Sequence, residues 1–329
     1  MKKTNIALSA TFIATFVILN TSCGSETSTT KNLTLVAYNS FTPPEGAFDA
    51  FTKDTGITVE VATAGDAGEM VAKASLTSGN PEGDVMWGVD NALISRAIDN
   101  EIFAGDPTEV DYGYVCVNFD IDALGQTQPP LTLEDLASAD YKGMLVVQNP
   151  ATSSTGLAFL LATVAAFGDN WPDYWNRLVA NDVLVVDSWD DAYYSSFTRY
   201  GGDRPLVVSY STSPPAEVLF ADPPLAEGSP APTGVASETC FKQVEYAGVL
   251  RGTEYSKQAQ LLVEYLAGPT FQALLPESLF VYPANPDVAL PQSFIDYAPE
   301  ISSSFSLLPD EIANNRQSWT DQWTAIVLK

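Results

Sequence analysis

The chain has 329 residues, with 41 Asp and Glu against 15 Lys and Arg and no histidine, for a formal net charge of -26. That balance excludes nucleic-acid binding through phosphate neutralisation and charge-driven adhesion to an anionic membrane, although it would attract cations. Without histidine, Ser-His-Asp and Cys-His catalysis and the usual zinc sites are also excluded.

The chain opens with Lys2 and Lys3, an apolar run from Ile6 to Leu19, and then Asn20-Thr21-Ser22-Cys23-Gly24. The run is short for a membrane span and has the layout of an export signal. Small residues before a cysteine point to a lipoprotein signal: residues 1–22 are removed and Cys23 is lipidated. Residues 23–31 form a polar, Ser/Thr-rich tether with nothing to bury. A soluble secreted chain cut nearby is the plainer reading.

Beyond the tether the pattern alternates strand and helix. Leu33 to Tyr38 is a strand ending at Asn39-Ser40. A helix over 46–55 closes at Gly56, and Ile57 to Ala62 is a second strand. The turn Gly65-Asp66-Ala67-Gly68 opens a helix from Glu69 to Leu76. Asp84 to Asp90 is a third strand, with a helix from Asn91 onward. This order implies a parallel sheet wound with helices. Asp111 to Phe119 and Cys240 to Val249 read as two long extended partners. Between them lie a strand at Met144–Gln148, helices at 156–167 and 171–180, a strand at Val183–Val186, a helix at 190–199 and a strand at 205–209. A chain that leaves one unit, builds another and returns makes two lobes with a cleft between them. The boundaries follow: 32–113 with 245–289 form the first lobe, 114–244 the second, and 290–329 a helical segment packing on both. The end of the chain is mostly helical, at 257–267, 270–275 and 309–327. Trp171 and Trp175, and likewise Trp319 and Trp323, stand at helical i, i+4 spacing and read as packing faces. Cys116 and Cys240 either pair, as an exported protein permits, or remain two buried thiols.

Strand ends facing the cleft hold the candidate site residues. Tyr38, Trp189 and Tyr210 with Asp66 and Asp90 make a set of ring faces and acids suited to a flat cation. Each has a plainer role: Asp90 as a helix cap, Asp66 as a turn residue, Trp189 as core. Thr152, Ser153 and Ser154 precede an apolar helix, where free N–H groups and the dipole favour an anion or hydroxyl, or where they act only as a cap. Arg204 to Glu217 reads as a short strand running into Ser209, Ser211, Thr212 and Ser213, then a Pro-initiated helix. No nucleotide-binding glycine pattern and no calcium loop occurs.

Taken in order, LTLVAYNSF, GDVMWGVDN, VDYGYVCVN, QNPATSSTGLAFLL, VVDSWDDAY, LVVSYSTSP, LFVYPAN and RQSWTDQW resemble the periplasmic thiamine-binding proteins of bacterial ABC importers. The resemblance spans Leu33 to Ile326. It implies an α/β, two-lobed type II periplasmic-binding-protein fold, each lobe a mostly parallel sheet flanked by helices, hinged by two crossing strands. It also implies a non-enzymatic, monomeric solute binder that captures thiamine or a thiamine phosphate and delivers it to a membrane permease. Such a protein works outside the cytoplasm, held at the membrane through lipidated Cys23, with no cofactor, no metal and no nucleic acid. Carried over by position, Tyr38, Asp66, Trp189 and Tyr210 match family ligand contacts, and Ala67, Asp90 and Phe280 are counted with them as ligand-binding. Asp66 faces the thiazolium, and Thr152, Ser153 and Ser154 meet the hydroxyethyl or phosphate end. Phe280 stands where the family often has tryptophan, Ala216 where a second stacking tyrosine is common, and Glu45 in a loop where a tryptophan is common. The residues leave two other readings open: a binder of ferric ion or a polyamine, and a secreted hydrolase using Asp66 and Asp90 as its two carboxylates.

Overall fold

The computed structural model describes residues 32–226 and 228–328, so the predicted signal, the tether and Cys23 lie outside the described residues. The first half winds β1 (Asn32–Ala37), α1 (Asp49–Thr55), β2 (Thr58–Thr63), α2 (Ala67–Leu76), β3 (Val85–Asp90) and α3 (Ile94–Asp99). β1 lies parallel to both β2 and β3. Position in the sheet explains the residues: β2 is an edge strand with several exposed side chains, whereas every residue of β3 is buried. VMWGVD is accordingly a nearly unbroken apolar run that ends in one acid.

The chain then crosses on β4 (Thr108–Asp120) and passes α4 (Ile121–Leu124) to β5 (Leu145–Gln148), α5 (Ser154–Phe167), α6 (Trp171–Ala180) and β6 (Leu184–Val186). It continues through β7 (Leu206–Tyr210) and α7 (Ser213–Leu219) and returns on β8 (Thr233–Val249). α8 (Ser256–Leu266), α9 (Pro269–Gln272), α10 (Leu275–Ser278), β9 (Tyr282–Pro283), α11 (Gln292–Tyr297) and α12 (Pro309–Val327) complete it.

The strands form one nine-stranded sheet ordered β2-β1-β3-β8-β4-β7-β5-β6, with β9 added beside β4. Its two ends are parallel and its middle antiparallel. β8 pairs with β3 through Glu245–Val249, and β4 pairs with β7 through Val115–Phe119, so these long strands carry the sheet from one half to the other. Bulges interrupt β4 between Glu109 and Asp111 and between Val115 and Val117. Cys116 on β4 and Cys240 on β8 are joined as a disulfide, which resolves the alternative left by the sequence.

α5 has no charged residue and is buried along most of its length, which a central helix requires. α6 is amphipathic and buries Trp171, Tyr174, Trp175 and Leu178 on one face. Trp323 of α12 meets Trp175 edge-on at 5.4 Å, while Trp319 is half-buried against the same core.

Several boundaries differ from expectation. α2 starts at Ala67 because Asp66 caps it, accepting the Ala67 N–H through Oδ1 at 2.8 Å. The helix after β3 begins at Ile94, because the Asp90 carboxylate first holds a turn at Ala92 and Leu93. The span 190–199 is a π-helical turn, Asp191–Ser196, followed by a 3-10 turn, Thr198–Tyr200. Four tyrosine and tryptophan rings pack on one another there, and that packing outweighs regular helix propensity. The expected helix at 270–275 is two short ones, each with proline in its first turn, and α11 has no strong apolar period that would announce it.

Candidate functional site

The carboxyl ends of β1, β5, β6 and β7, the start of α2 and the loop before β9 converge on a cavity of about 920 Å³ counted to its open mouth. This is where open α/β sheets place ligands. Its walls hold the rings of Tyr38, Trp189, Tyr193, Tyr194, Tyr200, Tyr210, Phe220 and Phe280. Two carboxyls, Asp66 and Glu245, also line it, and no lysine or arginine is among the described lining residues.

The aromatic wall is fixed by a second layer of hydrogen bonds. The Trp189 Nε1–H donates to Ser209 Oγ at 3.0 Å, and the indole stacks on Tyr193 at 4.9 Å. The Tyr193 hydroxyl donates to Glu217 Oε1 at 2.7 Å, and the Tyr200 hydroxyl donates to the same oxygen at 3.1 Å. Arg199 meets the other Glu217 oxygen at 3.2 Å and balances its charge. Rings held this way need little reordering when a flat ligand arrives. Across the cavity, Tyr38 lies over Gly88, where φ is 99° and a Cβ would sit 2.3 Å from the ring. Glycine at this bulge supplies both the left-handed backbone and the room for that ring.

Asp66 has two bonded oxygens. Oδ1 accepts the Ala67 N–H, and Oδ2 accepts the Trp189 N–H at 3.1 Å. Burial pushes its carboxyl above the ordinary range, opposed by the Ser153 hydroxyl and these two amides. The next turn of α2 touches the same opposing loop: the Glu69 N–H donates to Thr152 O at 3.2 Å, and a Cβ on Gly68 would lie 2.4 Å from that oxygen.

Three further acids stand side by side. Glu245 on β8 pairs in register with Asp90 on β3 and with Asp111 on β4. All three are buried: Glu245 is 3% exposed, Asp111 0% and Asp90 1%. Burial raises each carboxyl, Asp90 to about 7, and Glu245 is raised further by its neighbours Asp111 and Asp90. Gln243 Nε2 donates to Glu245 Oε1 at 2.8 Å and to the Tyr210 hydroxyl at 3.1 Å.

Of the residues expected at the site, Tyr38, Asp66, Ser154, Trp189, Tyr210 and Phe280 line the cavity. Four stand behind its wall. Ala67 is buried under Asp66. Asp90 spends one oxygen on the Ala92 and Leu93 amides, the plainer role its position suggested. The Thr152 hydroxyl donates to Asp187 O at 2.6 Å, and Ser153 is bonded to Thr155 at 3.0 Å. Of the hydroxyl run at the end of β7, Ser209 serves Trp189, the Thr212 hydroxyl donates to the Phe280 carbonyl, and only Ser213 reaches the cavity.

Sequence reasoning missed Tyr193, Tyr194, Tyr200, Phe220 and Glu245. Tyr193 and Tyr194 were hidden in a stretch, 190–199, read as regular helix, and Tyr200 lies just past its end. Phe220 stands one turn after Ala216 on α7's exit, so a ring does border the cavity near that alanine. Glu245 left a signal: with Gln243 it places polar groups at the period-two positions that continue into Ala247 and Val249, an inward face.

Residues 89–299 match the family described as bacterial extracellular solute-binding protein. A thiamine-binding periplasmic protein of Salmonella typhimurium is 28% identical over 322 residues, covering 90% of this chain and 93% of its own. Among solved structures, a periplasmic thiamin binding protein superposes with a TM-score of 0.80 at 26% identity, covering 90% of this chain and 96% of that one. A ferric binding protein from Campylobacter jejuni shares the fold, with a TM-score of 0.70 at 15% identity and coverage of 89% and 99%.

Proposed function

The chain belongs to the bacterial extracellular solute-binding proteins, a two-lobed type II fold, and on that footing we propose that its cargo is thiamine or a thiamine phosphate. The observation that carries this reading is the convergence of eight aromatic rings and two carboxyls on one cavity without a lysine or arginine in its wall. Thiamine offers what such a wall attracts: a permanent thiazolium cation, a flat aminopyrimidine and a short polar tail. Each ring face set against the cation contributes about 0.5–2 kcal/mol, depending on how dry the site is. Asp66 supplies the counter-charge from the start of α2. Ser154 and Thr155 at the start of α5 receive the hydroxyethyl or phosphate end.

The names of the relatives support this cargo, and so do the positions of Tyr38, Asp66, Trp189 and Tyr210. The work is capture and release, with no bond made or broken. Ligand contacts from both sides of the cavity favour the closed arrangement, in which Asp66 meets the Trp189 amide, and a membrane permease of an ABC importer then accepts the cargo. The protein acts in the periplasm or at the outer face of the membrane, anchored through Cys23. Thiamine is cargo here rather than a cofactor.

Isothermal titration of the chain with thiamine, thiamine monophosphate and ferric citrate tests the reading. Saturable heat with thiamine or its phosphate at micromolar ligand supports it. No heat with either, or a coloured tyrosine–iron complex with iron alone, overturns it.

A further inference from the structure

We propose that Glu245 is a second ligand-contacting carboxyl, and that a cation entering the cavity displaces a proton held in the row Asp90–Glu245–Asp111. The inference rests on the cationic cargo read above and adds to it a partner for the cation and a proton released on capture.

The geometry is a ladder of acids. β3, β8 and β4 are adjacent strands, and Asp90, Glu245 and Asp111 occupy paired positions across them, so their side chains share one face. Like charges directly opposite in a sheet repel, and burial strengthens the repulsion. The surroundings supply little relief. Asp111 Oδ2 accepts the Trp87 Nε1–H at 3.0 Å, and Glu245 Oε1 accepts from Gln243. Asp90 Oδ1 is taken by two amides, and the Ser154 hydroxyl and Arg316 of α12 act on Asp90 at the far end of the row. Toward Glu245 itself face Asp90, Asp111, the Tyr38 hydroxyl and, from β7, Tyr210. Asp111 Oδ1 has no hydrogen-bond partner in the protein, and beyond Gln243 only the Tyr38 hydroxyl acts as a hydrogen-bond partner to the Glu245 carboxyl. Buried carboxyls so placed keep protons rather than charge.

Glu245 is the member of the row that lines the cavity. Among the described residues no group of three or more His, Cys, Asp or Glu is placed to hold a metal ion. A permanent cation set against Glu245 reverses the balance: it favours the carboxylate, the O–H bond breaks, and the proton leaves to solvent. The ligand keeps its charge, so capture exchanges one positive charge for another and leaves the net charge of the site unchanged. A neutral ligand of the same shape gains nothing from the exchange, which makes Glu245 a selector for cations.

Titration calorimetry of the full chain with thiamine, at pH 7 in phosphate, HEPES and Tris, reads the protons released from the buffer dependence of the heat. The expected result is about one proton released per thiamine bound, the count that follows from one carboxyl ionising. In Glu245→Gln the release falls to near zero, and affinity drops roughly tenfold while binding persists. Asp111→Asn reduces the release, because Glu245 without that neighbour is partly ionised beforehand. Tight binding with no proton release, or release unchanged in Glu245→Gln, overturns the proposal. Absence of any heat strikes the thiamine reading instead. A ligand-independent measurement then still decides: potentiometric titration of the free protein must show one group titrating above pH 6 that Glu245→Gln lacks, and identical curves refute the role.

Discussion

The Asp66 carboxylate at the start of α2 accepts the main-chain N–H of Trp189, which follows β6, at 3.1 Å across the cleft. One acid thus caps its own helix, faces the cavity and ties the two halves of the sheet together. Asp66→Asn keeps an acceptor for the Ala67 amide but removes the charge and the second oxygen that the Trp189 amide uses. Affinity for thiamine is expected to fall by about 1–3 kcal/mol, the scale of a charge-assisted contact in a desolvated site, with little change in melting temperature. Asp66→Ala should also lose the cap and about 1 kcal/mol of stability. Calorimetry and thermal melts of the two variants separate these effects, and an unchanged affinity in Asp66→Asn removes the acid from ligand recognition.

Gly68 tests the closed arrangement. A methyl group there would lie 2.4 Å from the Thr152 carbonyl, so α2 and the loop before α5 must move apart. Gly68→Ala touches no cavity residue, yet it should shift the protein toward an open form. If closed molecules become ten times rarer, apparent affinity falls about tenfold. Small-angle scattering should show a larger radius of gyration with thiamine present. Wild-type affinity and dimensions would remove this contact from closure.

Buried acids set the pH dependence of stability. In the folded state Asp90 is raised to about 7, and Asp111 and Glu245 are raised as well, all by burial. The folded protein therefore binds more protons than the unfolded chain between about pH 4 and 8, and stability falls as pH rises through that window. Glu134 and Asp135, lowered by Arg177 and by the Thr132 and Leu131 amides respectively, act in the opposite sense but only near and below pH 4. The urea midpoint should thus decline from pH 5 to pH 8, and Asp111→Asn should flatten the decline. A midpoint that rises over this range contradicts the assignment.

The Cys116–Cys240 bond closes a loop of 124 positions between the two long crossing strands. Replacing both cysteines with serine should cost about 2–5 kcal/mol, mostly by freeing the unfolded chain. Thiamine affinity should change much less, because neither cysteine lines the cavity. Chemical denaturation with parallel calorimetry checks both halves of that expectation.

Much of the fold was legible because its signals are local. The buried strand VMWGVD, the uncharged α5 and the amphipathic face of α6 each state their burial in their own residues. The pairing of β4 with β8 was readable from two long extended runs bracketing an α/β unit. The turn at 191–196 was not, since its shape comes from rings meeting Trp189 and Glu217 rather than from propensity. In the cavity, Tyr38, Trp189 and Tyr210 were legible as aromatic residues at strand ends. Thr152 and Ser153 looked equivalent to Ser154 in sequence, but the backbone turns them toward Asp187 and Thr155.

The sequence by itself determined the alternation of strands and helices, the charge that turns away anions, and the lack of histidine chemistry, because composition and period act at short range. Tertiary structure alone decided which polar side chains face the cavity and which acids stand abreast. Register between distant strands brings Glu245 beside Asp90 and Asp111, and only a folded sheet sets their separation, dryness and protonation.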